Sequence, residues 1–88
     1  MKKVKNDLFD YQNRYIIQYR ENFKFSLDSV LLSEFVSIKP KDNNILDFCT
    51  GNVPIPLILS LKTSKHIVGF EIQKKMYDLG IESIKINR

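Results

Sequence analysis

The chain has 88 residues, of which 14 are Lys or Arg, 10 are Asp or Glu and 43% are hydrophobic. This length fits one domain or part of one. With one Cys and one His, the chain cannot form an internal disulfide or a zinc site of the His/Cys type. No apolar run approaches the roughly 20 residues that span a bilayer, and the basic start lacks the apolar segment of a secretory signal. We therefore expect a cytoplasmic protein that binds no metal and no membrane.

The net charge of +4 is unevenly distributed along the chain. Residues 1–24 carry +3, residues 25–61 carry −2 and residues 62–88 carry +3. This pattern is compatible with a phosphate-bearing partner, and a solvated lysine-rich surface explains it equally well. Charge alone therefore leaves both interpretations open.

Residues 1–40 are predicted to form an N-terminal cap segment built from a strand and a helix. The run Tyr15–Tyr19 is β-branched and aromatic, which is typical of a short strand, and a helical turn is predicted around Asp7–Tyr11. Phe23–Phe25 alternates and fits either a second strand or a loop.

A helix is then predicted because apolar residues recur at spacings of three and four, which indicates one buried stripe. Ser26 fits its N-cap and Pro40 its stop. The stripe consists of Leu27, Val30, Leu31, Phe35 and Ile38.

Residues 41–88 are predicted to form two consecutive β-α units. Ile45–Cys49 reads as a strand buried on both faces, and a helix follows whose first turn accommodates Pro54. His66–Glu71 reads as the next strand, followed by a helix from about Gln73. The apolar face assigned to that helix consists of Ile72, Met76, Leu79, Ser83 and Ile86. The order β-α-β-α predicts a parallel sheet.

Three residues in 41–88 indicate a ligand-binding site. They are Asp47 near the end of the first strand, Gly51 in the turn, and Glu71 at the end of the second strand. Ligands of open α/β sheets bind outside the carboxyl ends of the strands, where an acid accepts ribose hydroxyls. A dinucleotide site requires Gly-x-Gly-x-x-Gly, and this turn has one glycine, which disfavours a nucleotide-binding oxidoreductase. The pattern favours a nucleoside ligand without phosphate, and S-adenosylmethionine is the obvious candidate.

Each of these residues also has a plain structural interpretation. Asp47 could simply cap the following helix, and Gly51 could simply form the turn. Glu71 could be a solvated strand end. Cys49 is predicted to be a small core residue, since no second His or acid pattern supports a nucleophile. His66 is predicted to be exposed.

The sequence resembles a known enzyme family at three quoted segments. Ile45-Leu46-Asp47-Phe48-Cys49-Thr50-Gly51-Asn52, then Ile55-Pro56-Leu57-Ile58-Leu59-Ser60, then Ile67-Val68-Gly69-Phe70-Glu71-Ile72-Gln73 look like the amino-terminal half of the bacterial N6-adenine methyltransferases that modify an anticodon-loop adenine of valine tRNA. Ile16-Ile17-Gln18 and Phe25-Ser26-Leu27-Asp28-Ser29-Val30-Leu31-Leu32 are similar to the segment before the cofactor motif in that family. The resemblance covers roughly residues 8 to 87.

The resemblance implies an S-adenosyl-L-methionine cofactor and a tRNA substrate. It also implies an α/β fold that forms the N-terminal portion of a Rossmann-like methyltransferase sheet, with the first two parallel β-α units and a small strand/helix cap. The cofactor-binding residues that it implies are Asp47, Thr50, Gly51 and Asn52 in the loop, Glu71 on the ribose, and Phe25, Ser26 and Asp28 in the upstream segment.

The sequence departs from the family pattern in two respects. Val53 stands where the family commonly has a glycine, and a β-branched residue resists a positive φ. The Asn-Pro-Pro-aromatic motif, which holds the target amine, occurs nowhere in the 88 residues. The expectation is therefore a cofactor-binding fragment with no catalytic residue of its own, inactive alone, which self-associates or pairs with a C-terminal half. The alternative is a non-catalytic remnant or a small interaction module.

Overall fold

The computed structural model describes residues 2–8, 11–20 and 27–87. These residues form two two-stranded sheets and three helices. In chain order the elements are β1 (Lys3–Leu8), β2 (Tyr11–Tyr19), α1 (Leu27–Phe35), β3 (Asn44–Phe48), α2 (Pro54–Leu59), β4 (His66–Phe70) and α3 (Lys74–Ile86). The fold class is therefore α/β, as the sequence predicts. No helix in the described ranges is long and apolar enough to cross a membrane.

The N-terminal hairpin pairs β1 with β2 in antiparallel fashion, with a register irregularity between Asp7 and Leu8. The predicted strand at Tyr15–Tyr19 is confirmed as part of β2. The helical turn predicted around Asp7–Tyr11 is wrong, since Asp7 and Leu8 belong to β1 and Tyr11 begins β2. Pairing with β2 bonds the backbone groups of β1 that face β2, and Leu8 is completely buried in the core. Phe23–Phe25 lies outside the described residues.

Side chains from three distant residues cover the outer edge of β2. The Asn87 amide accepts a hydrogen bond from Tyr15 N–H at 2.8 Å and donates one to the Tyr15 carbonyl at 2.6 Å. Ser83 Oγ accepts from Ile17 N–H at 2.9 Å, and Asn52 Nδ2 donates to the Ile17 carbonyl at 2.8 Å. These bonds fix the hairpin against α3 and against the loop that follows β3.

Helix α1 is shorter than predicted and buries a different stripe. It ends at Phe35, before the predicted Ile38. Val30 packs on the core and Ser33 is fully buried, but Leu27, Leu31 and Phe35 of the predicted stripe are exposed. The prediction failed because α1 meets α2 through its Val30 and Ser33 side, and no described element covers the rest. The predicted N-cap, Ser26, lies outside the described residues.

The second half follows the predicted β-α-β-α order, and β3 and β4 are parallel, with Ile45 opposite Ile67 and Phe48 opposite Phe70. Pro54 stands in the first turn of α2, where its missing N–H leaves no bond unmade.

The prediction that the first strand of this half is buried on both faces is wrong. Leu46, Phe48 and Phe70 are exposed, because no described element packs over that face. We call the face formed by Leu46, Phe48, Val68 and Phe70 the open sheet face. On α3, Leu79 and Ser83 are buried as predicted, whereas Ile86 is exposed and Ile72 precedes the helix.

One core joins the two predicted segments. It consists of Leu8, Ile16, Val53, Leu57 and Ile58, which come from the hairpin, the loop after β3 and helix α2. Residues 1–40 and 41–88 therefore pack together through shared apolar side chains. This packing sets the position of the loop after β3 relative to the hairpin.

Candidate functional site

The candidate site lies where the parallel strands β3 and β4 reach their carboxyl ends. The loop Cys49–Val53 follows β3, and Glu71 follows β4. The backbone N–H of Thr50 donates to the carbonyl of Phe70 at 2.9 Å, so the start of the loop is tied to the last residue of β4. The parallel sheet predicted from the β-α-β-α order is confirmed, and it brings the two strand ends to the same edge.

Glu71 joins the loop to the start of α3. Its Oε1 accepts a hydrogen bond from Gly51 N–H at 2.8 Å, and its Oε2 accepts one from Gln73 N–H at 2.9 Å. A carboxylate has about four lone-pair positions, so these two bonds leave about two for another donor. Because both backbone bonds restrict the carboxylate, its remaining acceptor positions are oriented before any ligand arrives.

Gly51 has a conformation that favours glycine. Its φ is +61°, in the left-handed region, whereas the space around it is open: a Cβ there would have Met76 Cε as its nearest neighbour at 3.8 Å. The constraint is therefore on the backbone. This conformation points the Gly51 N–H at Glu71.

Two further loop residues adopt positive φ without being glycine. Cys49 has φ 58° and Val53 has φ 67°. Left-handed conformations are uncommon outside glycine and costly for a β-branched side chain. Val53 thus adopts the positive φ that a β-branched residue was expected to resist, because its side chain is buried in the core. Cys49 is exposed, so the prediction of a core cysteine is wrong.

Asp47 and Thr50 form the inner wall of the loop. Thr50 Oγ1 donates to Asp47 Oδ2 at 2.5 Å, and the Thr50 side chain is buried. Burial raises the pKa of Asp47 above its ordinary value, and the hydrogen bond from Thr50 opposes that shift. The hydroxyl of Thr50 is thereby directed toward Asp47.

Two glycines that the sequence analysis did not single out bring the site together. A Cβ at Gly69 would lie 2.7 Å from Thr50 Cγ2, and a Cβ at Gly80 would lie 3.3 Å from the Gly51 carbonyl oxygen. Gly80 therefore lets α3 approach the loop closely. The signal available in the sequence was the isolated glycine inside a helical pattern, which often marks close packing.

The other predicted cofactor residues either direct their polar groups away from Glu71 and Gly51 or lie outside the described residues. Asn52 is buried and its Nδ2 bonds the hairpin at Ile17. Asp28 is exposed in the first turn of α1, and among the described residues no hydrogen bond joins it to Gly51 or Glu71. Phe25 and Ser26 lie outside the described ranges. The cofactor role of all eight predicted residues stays a prediction.

An open groove of ≈ 460 Å³ lies at the ends of the two strands. It is lined by Phe48, Cys49, Phe70, Glu71 and Ile72. The rings of Phe48 and Phe70 are stacked with centroids 5.2 Å apart, and Ile72 is 97% exposed. The groove thus combines apolar side chains with one carboxylate and no basic residue.

Comparison with known proteins identifies no family for this chain. No family model matches the chain, and no curated protein matches it significantly. Among the residues that the structure describes, no group of three or more His, Cys, Asp or Glu side chains is arranged to hold a metal ion. His66 is exposed at the start of β4, as predicted. The residues of the loop and groove are therefore the features of this chain that indicate a function.

Proposed function

We propose that this chain is the S-adenosylmethionine-binding fragment of a tRNA (adenine-N6) methyltransferase, built as the start of a Rossmann-like sheet. One observation carries the proposal. Gly51 at positive φ donates its N–H to Glu71, beside a groove at the carboxyl ends of two parallel strands. That is the edge at which α/β proteins bind ligands.

Glu71 supplies the ribose-binding group of the proposal. Its two backbone hydrogen bonds leave about two acceptor positions, which matches the two hydroxyls of a ribose. Hydroxyl donors to a carboxylate make charge-assisted hydrogen bonds, which are stronger than neutral ones. The preformed orientation of the carboxylate reduces the entropy that a ligand would lose on binding.

The apolar part of the groove suits the adenine of the same ligand. Phe48, Phe70 and Ile72 offer apolar surface, and base rings gain free energy by stacking on such side chains. The groove has no Lys or Arg among its lining residues, which disfavours a pyrophosphate and so the oxidoreductase alternative. A sulfonium ligand without phosphate fits these charges better.

In this proposal, the chain supplies the residues that bind the cofactor of methyl transfer and not the residues that hold the target amine. When bound, the sulfonium of S-adenosylmethionine makes its methyl carbon electrophilic, and the amine must be held in line with it. The Asn-Pro-Pro-aromatic motif that holds the amine in the resembled family is absent from the 88 residues. We therefore expect no methylation of unmodified valine tRNA by this chain alone, measured as tritiated methyl incorporation; incorporation above background would contradict this expectation.

Calorimetric titration of the purified chain with S-adenosylhomocysteine tests the cofactor proposal. Glu71→Gln should weaken binding at least about tenfold, because charge-assisted hydrogen bonds to the ribose are each worth roughly 1.5–3 kcal/mol. Glu82→Gln is the matched control, since Glu82 lies on α3 and pairs with Lys3 at 2.8 Å. Both variants should unfold cooperatively by circular dichroism.

Two results would reject the cofactor proposal. The first is no detectable heat of binding by the unmodified, folded chain. The second is an equal loss of affinity in Glu71→Gln and Glu82→Gln, which would remove Glu71 from the binding site.

The open sheet face supports a second candidate, a small interaction module without chemistry. Phe48 is 70% exposed beside Phe70 and Leu46, and contiguous exposed apolar side chains commonly mark an interaction surface. A folded chain that self-associates and does not bind S-adenosylhomocysteine would favour this candidate over the first.

A further inference from the structure

Three side chains from separate elements meet at the C-terminal end of α1. The carboxylate of Glu34, on α1, accepts a hydrogen bond from the hydroxyl of Tyr11, on β2. Its other oxygen lies 3.1 Å from Nζ of Lys62, in the turn after α2. The same ammonium donates a hydrogen bond to the Ser33 carbonyl at 2.8 Å. One carboxylate and one ammonium thus connect α1 with the hairpin and with the end of α2.

Lys62 supplies a positive charge that α1 itself lacks. Helix α1 contains Asp28 and Glu34 but no basic residue, and the last carbonyls of a helix have no partner within it. Lys62 Nζ provides that partner at Ser33, and a cation at this end is also favoured by the helix dipole. Lys62 therefore caps the C-terminus of α1 from outside the helix.

The other side-chain contacts of α1 are on one side of the helix. Val30 packs on the core and Ser33 is fully buried, but the Ser33 hydroxyl donates to the Ser29 carbonyl within α1 itself. On the opposite side, Leu31 and Phe35 are exposed, and no described element packs over them. An element that is held in this way belongs to the less stable part of a fold, which opens locally before the whole protein unfolds.

Glu34 is the group of this cluster whose charge acid removes, because Tyr11 and Lys62 keep their protons at acid pH. The hydrogen bonds from Tyr11 and Lys62 lower the pKa of Glu34 below its ordinary value of 4.5, and desolvation opposes them. Among the described residues, these two are the ionisable groups that face Glu34. Since the pKa is lower in the folded state, the stabilisation is lost as pH falls from the ordinary value through the lowered one.

We propose that Tyr11, Glu34 and Lys62 form an acid-sensitive latch, in which ionised Glu34 holds α1 on the core and its protonation lets α1 open while the rest of the fold stays closed. Protonation removes the charge-assisted character of both hydrogen bonds, which are roughly twice as strong as neutral ones. Opening of α1 uncovers Val30 and the core side chains that it contacts. The proposal does not depend on the cofactor site.

Amide hydrogen exchange of the ¹⁵N-labelled full chain, followed by NMR, measures the opening of α1. The Val36 N–H, bonded to the Leu32 carbonyl at 3.1 Å, reports on the end of the helix. Its protection, corrected for intrinsic exchange, should fall as pH is lowered through the ordinary pKa of Glu34, whereas the protection of Leu79 and Ser83 in α3 should not fall with it. Asp47 cannot cause this loss, because its pKa is raised and its contribution to stability has the opposite dependence on pH.

Two variants test the latch at neutral pH. Glu34→Gln should lower the protection of the α1 amides about fivefold, the size expected for an exposed charge pair at the end of a helix. Lys62→Met should have a similar effect, and the double variant should lose little more than Lys62→Met alone, because both substitutions remove the same contact. Lys74→Met is the matched control: it breaks the exposed Lys74–Asp78 pair at 2.9 Å and should leave the protection of α1 unchanged.

Any of three outcomes overturns the latch. Equal losses of protection in α1 and α3 would show that α1 does not open by itself. Additive losses from Glu34→Gln and Lys62→Met would show that the two side chains act independently. A Glu34→Gln variant with the pH dependence of the unmodified chain would assign the acid response to another group. If a variant does not fold, the comparison of α1 with α3 in the unmodified chain across pH decides the question.

Discussion

Thr50 packs directly onto Gly69, so that the side chain of the loop occupies the place where residue 69 would carry its Cβ. That Cβ would lie 2.7 Å from Thr50 Cγ2 and 2.8 Å from Thr50 Oγ1. Thr50 is held there by its hydrogen bonds to Asp47 and to the Phe70 carbonyl. The loop therefore rests on β4 at a position that tolerates no side chain.

Gly69→Ala should destabilise the protein by about 1–3 kcal/mol, because the added methyl group overpacks this contact. The free energy of unfolding, measured by urea denaturation, gives the magnitude. In a Thr50→Ala background the same substitution should cost less, since the two nearest atoms, Cγ2 and Oγ1, are gone and only Cβ remains, at 3.0 Å. Equal costs in both backgrounds would show that Thr50 is not the obstacle.

The left-handed backbone of Val53 leads to a second prediction. Inside a helix, a protein with alanine at a given position is normally more stable than one with glycine by roughly 0.5–1 kcal/mol. In a left-handed conformation, by contrast, a residue with a Cβ is strained by about 1–2 kcal/mol. Val53→Gly and Val53→Ala both lose apolar burial, and Val53→Gly should be the more stable of the two by urea denaturation. At Ile55 in α2, the Ala variant should be the more stable. The same order at both positions would contradict strain at Val53.

Asp47 should make the stability depend on pH. Because burial raises its pKa in the folded state, the folded protein holds the Asp47 proton more tightly than the unfolded chain between about 3.9, the ordinary value, and the raised value. The free energy of unfolding should therefore decrease as pH rises through that interval. Asp47→Asn should remove this component, whereas Asp28→Asn at an exposed position should retain it. An unchanged pH profile in Asp47→Asn would rule out the effect.

The open sheet face predicts self-association. Leu46, Phe48 and Phe70 are exposed on it, and removing such surface from water yields about 25 cal/mol per Å². Sedimentation velocity should show concentration-dependent assembly that Phe48→Lys reduces. Phe35→Lys, at a residue of α1 that is 84% exposed, should not reduce it. A sharp monomer with cooperative thermal unfolding would contradict this prediction.

The elements that local pattern determines were predictable from the sequence. β4 and the start of α3 were placed within one or two residues, and the β-α-β-α order correctly predicted that β3 and β4 are parallel. Those features depend on the hydrophobic periodicity of each segment, on the residues in its turns and on the order of neighbouring elements, all of which can be read from short stretches of sequence. The role of Asp47, Gly51 and Glu71 in cofactor binding stays a prediction.

Features that depend on distant contacts were not predictable in the same way. β1 has a polar sequence and is a strand because β2 pairs with it. The spacing of apolar residues in α1 indicates a stripe, but only its neighbours decide that Ser33 is buried and Phe35 exposed. Cys49 was expected in the core because the strand before it was expected to be buried on both faces. One face of that strand is open, and Cys49 is exposed.

The covered edge of β2 has a consequence for how the hairpin meets other chains. A strand that adds to a sheet must bond the outward N–H and carbonyl groups of its edge. At Tyr15 and Ile17 those groups are already bonded to Asn87, Ser83 and Asn52. An invading strand would have to displace these side chains before it could bond the backbone at Tyr15 or Ile17. The middle of this edge is therefore protected against strand invasion and fibril growth by hydrogen bonds that mimic a neighbouring strand.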